Sequence, residues 1–411
     1  MIKGLTVLNL RKFLAGLALA GMATFAVEAA PTENITWTSE NSGLNPGYTV
    51  EPLPNTRPVD PADVLPNVTA ASAIVIEAST GHVIYARNPD DLRYPASTTK
   101  MMTLIMALEH GGLDEIVEVS ANASAAEGST LWLDPGEHIP LNDLLYGMIM
   151  VSANDASVAI AEHLGGNVAN FAAQMTNRAH ELGAVNSNFT NPHGLPDENH
   201  YSTARDLAVL ASYGFKLPGF EQIVTQQEAA FGWIHDDENK LLRTENRLLY
   251  MYNGCNGVKT GYTERAGRCV VCSAKRNGIQ LISVVLDGLY MWNDSIIMLD
   301  YGFENISSET LVKSDEIVKT LPIISGRRKS MPVKTAGEII VPVFKNDDAY
   351  QINYDIPEFL TAPITNGESI GKVRVVIDGR EIASTDIVTT ADVEQKSFFR
   401  LILNSVRELL A

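Results

Sequence analysis

The sequence predicts an α+β fold in which one sheet takes strands from both ends of a long helical block, followed by a small all-β domain. Short β-rich runs on either side of a turn at residues 79–81 predict a hairpin. Apolar residues then recur at helical spacing across residues 98–213. Strand-like runs return over residues 256–286 and again beyond residue 305. Strands, then helices, then strands are typical of the α+β class.

Each predicted element rests on a local pattern. A helix is expected to begin near Ser97, because residues 98–109 have helical apolar spacing. Ser202 or Thr203 would cap a later helix at residues 202–213. Further helices are predicted at residues 141–164 (broken near Ser152), 171–182 and 295–301. Strands are predicted at residues 73–76, 82–86, 256–261, 268–274, 279–286, 310–312, 316–321, 338–342, 352–354 and 373–377.

The ends of the chain carry segments that do not belong to the core. Residues 1–29 have a basic start, an uncharged Leu- and Ala-rich run and a small-x-small site, which is typical of a secretory signal peptide. An uncleaved membrane anchor is the alternative, although the apolar run is short for a spanning helix. A Pro-rich extended lead-in follows over residues 30–68. The folded part then divides into an α+β domain at 69–304 and a β-rich domain at 305–392.

Residues 396–411 predict an amphipathic helix. Their large apolar side chains fall on one helical face, and the segment is too short to span a bilayer. Such a helix can lie on a membrane surface with its apolar face down. A helix packed on the β-rich domain is the alternative. With the signal peptide, this segment predicts an exported protein held peripherally on the periplasmic side of the inner membrane.

Composition excludes several classes of function. The chain of 411 residues has a formal net charge of −18 and a sequence pI near 4.9, which argues against a nucleic-acid partner. Three cysteines are too few for a disulfide framework, and no spacing of His, Cys or acidic residues predicts a metal site or another cofactor. Cys269 and Cys272 lie three apart in a predicted strand, so two buried thiols are expected rather than a redox couple.

Three short motifs, in order along the chain, carry the predicted chemistry. They are Ser-Thr-Thr-Lys at residues 97–100, Ser-Ala-Asn at 152–154 and Lys-Thr-Gly at 259–261. Lys100 comes one helical turn after Ser97, so its amine can reach the serine hydroxyl. Gly261 lies on a strand, where it lets a substrate backbone lie close. Together the motifs are typical of penicillin-recognising acyl-serine transferases.

With its flanking residues, the sequence resembles the low-molecular-mass penicillin-binding proteins that act as serine D-alanyl-D-alanine carboxypeptidases. The resemblance runs from about residue 70 to residue 390. It implies a β-lactamase/transpeptidase-like domain, with helices on both sides of a sheet, and then a small β-rich domain. It also implies a peptidoglycan pentapeptide ending in D-Ala-D-Ala as substrate, β-lactams as covalent inhibitors and a C-terminal helix at the membrane surface. The matching segments are residues 94–103, 152–156, 193–196, 201–206, 257–263 and 266–267.

The chemistry assigns a role to each motif residue. Ser97 is the expected nucleophile, and it needs an adjacent base because a serine hydroxyl is weak at its ordinary pKa. Lys100 can be that base if burial and the charge of Lys259 lower its pKa. Ser152 fits as a proton relay to the leaving group. Asn154 can hydrogen-bond the lysine and the substrate amide.

The Lys-Thr-Gly segment is expected to bind the substrate. Lys259 and Thr260 would hold the terminal carboxylate that defines a carboxypeptidase substrate. The resemblance implies an oxyanion hole made by the backbone N–H groups of Ser97 and Tyr262. Members of the family usually carry an arginine in the stretch that matches residues 287–294, and this chain has none there. Arg265 or Arg268 could take its place.

Competing functions and residue roles stay open at this point. A β-lactamase of class A would need a glutamate loop that residues 181–186 do not match, and the extra β domain disfavours it. A related endopeptidase and a non-catalytic wall-binding protein also stay open. Asp155 either caps or orients the helix after the Ser-Ala-Asn motif. His193, Arg205 and Asp206 are expected to be structural, the last two as an ion pair.

Overall fold

The structure of the protein is a computed structural model, which describes residues 65–110, 112–233, 236–344, 350–377 and 379–396. The predicted signal peptide, all but the end of the predicted lead-in, and the C-terminal segment beyond residue 396 lie outside the described residues. The chain forms two compact units that divide between Asn305 and Ile306. Within the described residues, no helix is long and apolar enough to cross a membrane.

The first unit contains a long helical block between strands, as the sequence predicts. Its helices are α1 (Lys100–His110), α2 (Ala121–Ser124), α3 (Leu141–Met150), α4 (Asn154–Gly165), α5 (Val168–Glu181), α6 (Ala204–Gly214), α7 (Phe220–Val224), α8 (Leu248–Met251) and α9 (Met291–Asn305). Its strands are β1 (Ser72–Glu77), β2 (Val83–Arg87), β3 (Ile116–Glu118), β4 (His138–Pro140), β5 (Glu228–Trp233), β6 (Asp236–Arg243), β7 (Cys255–Thr263), β8 (Gly267–Arg276) and β9 (Ile279–Leu286). The expected cap is present, because the Thr203 side chain accepts from the Asp206 backbone N–H.

The central sheet joins the two ends of this unit. Its strand order is β2-β1-β9-β8-β7, and every neighbouring pair is antiparallel. The pairing of β1 with β9 brings the N-terminal hairpin beside the strands that follow the helical block, which confirms the prediction. β7, which carries the Lys-Thr-Gly motif, is an edge strand of this sheet.

Helices cover both faces of the sheet. Ile74 and Ile282 belong to the buried cluster formed with side chains of α1, α4 and α6. A Cβ atom on Gly302 of α9 would contact Leu281 and Val75, the neighbours of those residues along the strands. Side chains of successive strand residues point to opposite faces, so α9 lies on the other side of the sheet. The prediction of helices on both sides is confirmed.

The second unit is an all-β domain, as expected. Its strands are β10 (Ile306–Val312), β11 (Ile317–Ile324), β12 (Ser330–Thr335), β13 (Ile339–Phe344), β14 (Gln351–Asp355), β15 (Leu360–Thr361), β16 (Ser369–Ile377) and β17 (Arg380–Thr389). They form a sheet of order β14-β16-β17-β12-β11-β15 and a β10-β13 pair. A buried cluster that includes Leu321, Val333, Val373 and Ile387 forms its core.

Candidate active site

The predicted nucleophile and base lie on one helical segment. Residues Ala96–Thr99 form a 3₁₀ helix, and α1 begins directly after it at Lys100. Side chains three residues apart eclipse each other on a 3₁₀ helix. Lys100 Nζ accordingly lies 3.0 Å from Ser97 Oγ. Ser97 is partly exposed and Lys100 is fully buried, so the serine alone of this pair can meet a substrate.

Three oxygen atoms surround the Lys100 amine. Besides Ser97 Oγ, Nζ lies 2.6 Å from Asn154 Oδ1 and 2.9 Å from the His193 carbonyl oxygen. These two oxygens can only accept, so the amine donates to both. A neutral amine has two N–H groups, and both are then used, which leaves its lone pair for the Ser97 hydroxyl. The arrangement suits a neutral lysine that takes the serine proton.

Burial and a neighbouring cation favour the neutral amine. Burial lowers the pKa of Lys100 well below its ordinary value, and the charge of Lys259 lowers it further. The carboxylates of Glu245 and Asp155 act in the opposite direction. Burial also lowers the pKa of Lys259, to about 8, against the opposing charge of Glu245. Lys259 therefore remains largely protonated at neutral pH.

The Ser-Ala-Asn motif lies in the break between α3 and α4, where the sequence predicts it. Ser152 has a φ of +61°, a left-handed conformation that interrupts the helical path, and its side chain is buried. Asn154 Nδ2 donates to the Glu127 carbonyl at 2.5 Å, which orients Oδ1 toward Lys100. The motif therefore fixes the amide that contacts Lys100. The relay role of Ser152 stays a prediction.

The Lys-Thr-Gly motif runs along β7 beside Ser97. A Cβ atom on Gly261 would lie 2.6 Å from the Ser97 backbone nitrogen. The glycine is thus needed for the close approach of the Ser97 backbone, whereas the sequence-based expectation is room for a substrate. Lys259 is buried and donates to the Thr260 carbonyl at 3.0 Å. Tyr262 follows with an exposed side chain, and its role in an oxyanion hole stays a prediction.

Arg268, on β8, contacts residues 287–294, the segment in which this chain has no arginine. Arg268 lies opposite Tyr262 in the β7–β8 pair. Its guanidinium donates to the Leu289 carbonyl at 3.2 Å, within residues 287–294. Arg265 is exposed on the turn between β7 and β8. Of the two substitutes that the sequence offers, Arg268 is the one whose guanidinium bonds to this segment.

The loop around His193 contributes to the site through its backbone, which sequence reasoning missed. His193 supplies a carbonyl oxygen to Lys100. Burial is the main cause that lowers the pKa of the His193 ring to about 3, so the ring is neutral at neutral pH. A Cβ atom on Gly194 would lie 1.8 Å from the Ala96 carbonyl oxygen, so this loop packs directly against the 3₁₀ helix. The His-Gly-Leu-Pro match at residues 193–196 was the available signal.

Asp155 holds a loop beside the site, whereas the sequence left open that it caps or orients the helix after the Ser-Ala-Asn motif. Its carboxylate accepts from the Leu131 N–H at 2.9 Å and the Leu133 N–H at 3.2 Å. Both leucines are buried, whereas Trp132 between them is 81% exposed and has a φ of +62°. Sequence reasoning missed this exposed indole. The same loop is also bonded to the Ser-Ala-Asn motif, because the Asn154 N–H donates to the Ser129 carbonyl at 2.7 Å.

Two of the other motif-flanking residues have structural partners. The predicted ion pair of Arg205 with Asp206 is wrong in its partner, because Arg205 Nε contacts Asp90 Oδ1 at 2.7 Å. Asp206 instead accepts a buried hydrogen bond from the Ser187 hydroxyl at 2.8 Å. In the part of the chain that the structure describes, no group of three or more His, Cys, Asp or Glu side chains could hold a metal ion.

Two sequence families match the chain. The profile described as D-alanyl-D-alanine carboxypeptidase matches residues 59–289. The profile described as the penicillin-binding protein 5 C-terminal domain matches residues 307–395. The matches together span both units of the fold.

Individual relatives agree with these matches. The D-alanyl-D-alanine carboxypeptidase DacF of Bacillus subtilis is 33% identical over 339 residues, which cover 80% of this chain and 87% of that protein. DacA of Haemophilus influenzae, with the same enzyme name, is 32% identical over 351 residues, or 81% of this chain and 88% of that protein. The crystal structure of penicillin-binding protein 5 from Haemophilus influenzae aligns with a TM-score of 0.57 and 31% identity, covering 81% of this chain and all of that one.

Proposed function

The chain belongs to the D-alanyl-D-alanine carboxypeptidase family, and from its site we propose that Ser97 is the nucleophile and Lys100 the base of this activity. It is a serine-type enzyme that removes the terminal D-Ala from peptidoglycan pentapeptides through an acyl-enzyme. The observation that carries the assignment is the Lys100 amine, whose two other oxygen neighbours can only accept hydrogen bonds. Its lone pair is then left for the hydroxyl 3.0 Å away.

Acylation begins when Ser97 Oγ attacks the carbonyl carbon of the penultimate D-Ala. Lys100 takes the hydroxyl proton, and the bond to the terminal D-Ala breaks as that nitrogen receives a proton through Ser152. Water then attacks the ester, Lys100 takes a proton from it, and Ser97 is restored. A β-lactam follows the first step only, because its opened ring stays attached to the acyl-enzyme.

Substrate is held by groups on both sides of the nucleophile. Asn154 hydrogen-bonds the substrate amide while its Oδ1 positions Lys100. Lys259 and Thr260 bind the terminal carboxylate, since a protonated amine and a hydroxyl beside Ser97 both donate to it. Arg268, whose guanidinium bonds to the Leu289 carbonyl, supplies the permanent positive charge that residues 287–294 themselves lack. The backbone N–H groups of Ser97 and Tyr262 stabilise the oxyanion.

The experiment that tests this function is product analysis on two substrates. A soluble pentapeptide should lose one D-Ala, whereas a cross-linked dimer should remain intact. Release of monomers from the dimer at a comparable rate would instead favour the endopeptidase. No release from either, without acylation by labelled penicillin, would favour a non-catalytic wall-binding protein. Rapid turnover of penicillin would favour a β-lactamase.

We further propose that the protein is exported and held at the periplasmic surface of the inner membrane. The support is in the sequence: a signal-like segment at residues 1–29 and an amphipathic segment at 396–411. The tail has few basic residues, so binding should rest on apolar burial and resist salt. Truncation after Gln395 should release the exported protein from membranes washed in high salt. Unchanged membrane association of the truncated protein would exclude the tail as the anchor.

A further inference from the structure

Two thiols meet on the face of the sheet that points away from Lys259. Cys255 begins β7, and its Sγ lies 3.8 Å from Sγ of Cys272 on β8. Cys255 is paired with Ala274, which shares a face with Cys272 because the two are two residues apart. Lys259 is paired with Val271, the neighbour of Cys272, so its side chain points to the other face. Both cysteines are free thiols.

The third cysteine is separated from this pair. Cys269 is an odd number of residues from Cys272 along β8, so it points to the opposite face. Its Sγ lies 3.6 Å from the Ala266 carbonyl. Cys269 and Cys272 are both fully buried, which confirms the expectation of two buried thiols rather than a Cys-x-x-Cys couple. The pairing that the structure offers is one that sequence spacing does not suggest.

We propose that Cys255 and Cys272 are an oxidation site, at which an external disulfide converts the two thiols into an intramolecular disulfide joining the start of β7 to β8. The two sulfur atoms need to approach from 3.8 Å to about 2.05 Å. Cys255 is the first residue of its strand, at a point where the β7–β8 register shifts, so its backbone is held by fewer ladder bonds than the strand interior. Cys255, the less constrained of the two residues, is therefore the one expected to move toward Cys272.

The reaction proceeds in two exchanges. Cys255 is partly exposed, so its thiolate attacks the external disulfide, forms a mixed disulfide and expels one thiolate. Cys272 then loses its proton, attacks Cys255 Sγ and expels the second thiolate. The protein gives up two electrons and two protons, and the external disulfide becomes two thiols. Burial raises the pKa of Cys272 well above its ordinary value, so the second exchange is expected to be slow.

The cross-link would stabilise the strand that carries the Lys-Thr-Gly motif. The two cysteines are 17 positions apart, and closing a loop of this size restricts the unfolded chain. The midpoint of thermal unfolding of the α+β unit is expected to rise by about 5 °C. The proposed export would place the site in a compartment where disulfides persist. The oxidation itself depends on neither export nor catalysis.

The test uses the full mature chain incubated with oxidised glutathione. The wild type and Cys269→Ser should each lose the mass of two hydrogen atoms, without retained glutathione. Cys255→Ser and Cys272→Ser should not lose it. Trypsin should release residues 248–259 linked to residues 269–275. Because the second peptide also contains Cys269, the Cys269→Ser variant assigns the link to Cys272.

Several outcomes would overturn the proposal. The proposal is wrong if all three thiols of the folded wild type stay free, or if the reaction ends with a glutathione adduct on Cys255. It is also wrong if the link is absent from the Cys269→Ser variant. A linked wild type whose unfolding midpoint does not exceed that of the reduced protein would overturn the stabilising role. Cys255→Ser, incubated in the same way, controls for effects of the oxidant elsewhere.

Discussion

Asn154→Asp should raise the pKa of Lys100 and so leave less of the neutral amine that acts as the base. The substitution keeps the size of the side chain and replaces the amide oxygen 2.6 Å from Nζ by a carboxylate oxygen. An opposite charge at that distance favours the protonated amine. A protonated Lys100 has no lone pair to receive the Ser97 proton, so acylation should fail where the lysine is charged.

The distance sets the size of the effect. Two unit charges 2.6 Å apart attract by about 6 kcal/mol at an effective dielectric constant of about 20. Burying the new carboxylate costs several kcal/mol, which offsets a part of this attraction. A net gain of about 3 kcal/mol raises the pKa of Lys100 by about 2 units. On the acid limb of the pH profile, acylation should therefore slow by about 100-fold.

The assay is the rate of acylation by fluorescent penicillin as a function of pH. In Asn154→Asp the acid limb should move to higher pH by about 2 units, and the rate should recover in part at alkaline pH. Asn154→Ala is the matched control, because it loses the same contact without adding a charge. Its acid limb should not move to higher pH, although its rate falls. An acid limb in Asn154→Asp that coincides with that of the wild type would refute Lys100 as the neutral base.

Three further predictions follow from the same geometry. Lys100→Arg keeps a charge but cannot act as a base, so acylation should fall by at least ~10² in stopped-flow labelling, and a wild-type rate would remove Lys100 from the mechanism. Gly261→Ala places a Cβ atom 2.6 Å from the Ser97 nitrogen, so the free energy of unfolding in urea titration should fall by about 1–3 kcal/mol and the rate of penicillin acylation by about 10². Gly337→Ala is the control, because the nearest contact of its added Cβ atom is a side-chain hydroxyl at 3.0 Å. Because the pKa of Lys259 is lowered to about 8, KM for the pentapeptide should rise as pH increases through 8 and Lys259 loses its charge, and a KM that stays constant to pH 10 would exclude Lys259 as the carboxylate ligand.

Periodic segments of the fold could be predicted, and irregular ones could not. The helices at 141–150 and 154–165 and the strands at 279–286 have long apolar patterns that local reasoning detects. β12 was missed because Pro332 interrupts a short run, although Met331 and Val333 on either side of it are buried. β6 was missed because its first residues are Asp-Asp-Glu-Asn-Lys, a composition that is not typical of strands.

In the candidate site, the side chains could be predicted from the sequence, whereas the backbone contacts could not. Ser97, Lys100 and Asn154 could be predicted because each motif fixes residue types at short spacing, and the structure brings the side chains of Ser97 and Asn154 within 3.0 Å of Lys100 Nζ. The His193 carbonyl could not, because any residue supplies a carbonyl and the contact joins positions 93 apart. The bond from Arg268 to the Leu289 carbonyl depends on strand pairing, which a sequence alone does not specify.

The most direct test of the proposed nucleophile is Ser97→Ala in the full-length enzyme, measured for both penicillin labelling and D-Ala release. No other serine in the described part of the chain has its hydroxyl bonded to a buried lysine amine with a free lone pair. If Ser97 is the nucleophile, the alanine variant should fold with an unfolding midpoint close to that of the wild type, form no penicilloyl adduct and release no D-Ala. A folded Ser97→Ala protein that still forms a covalent adduct would contradict this assignment.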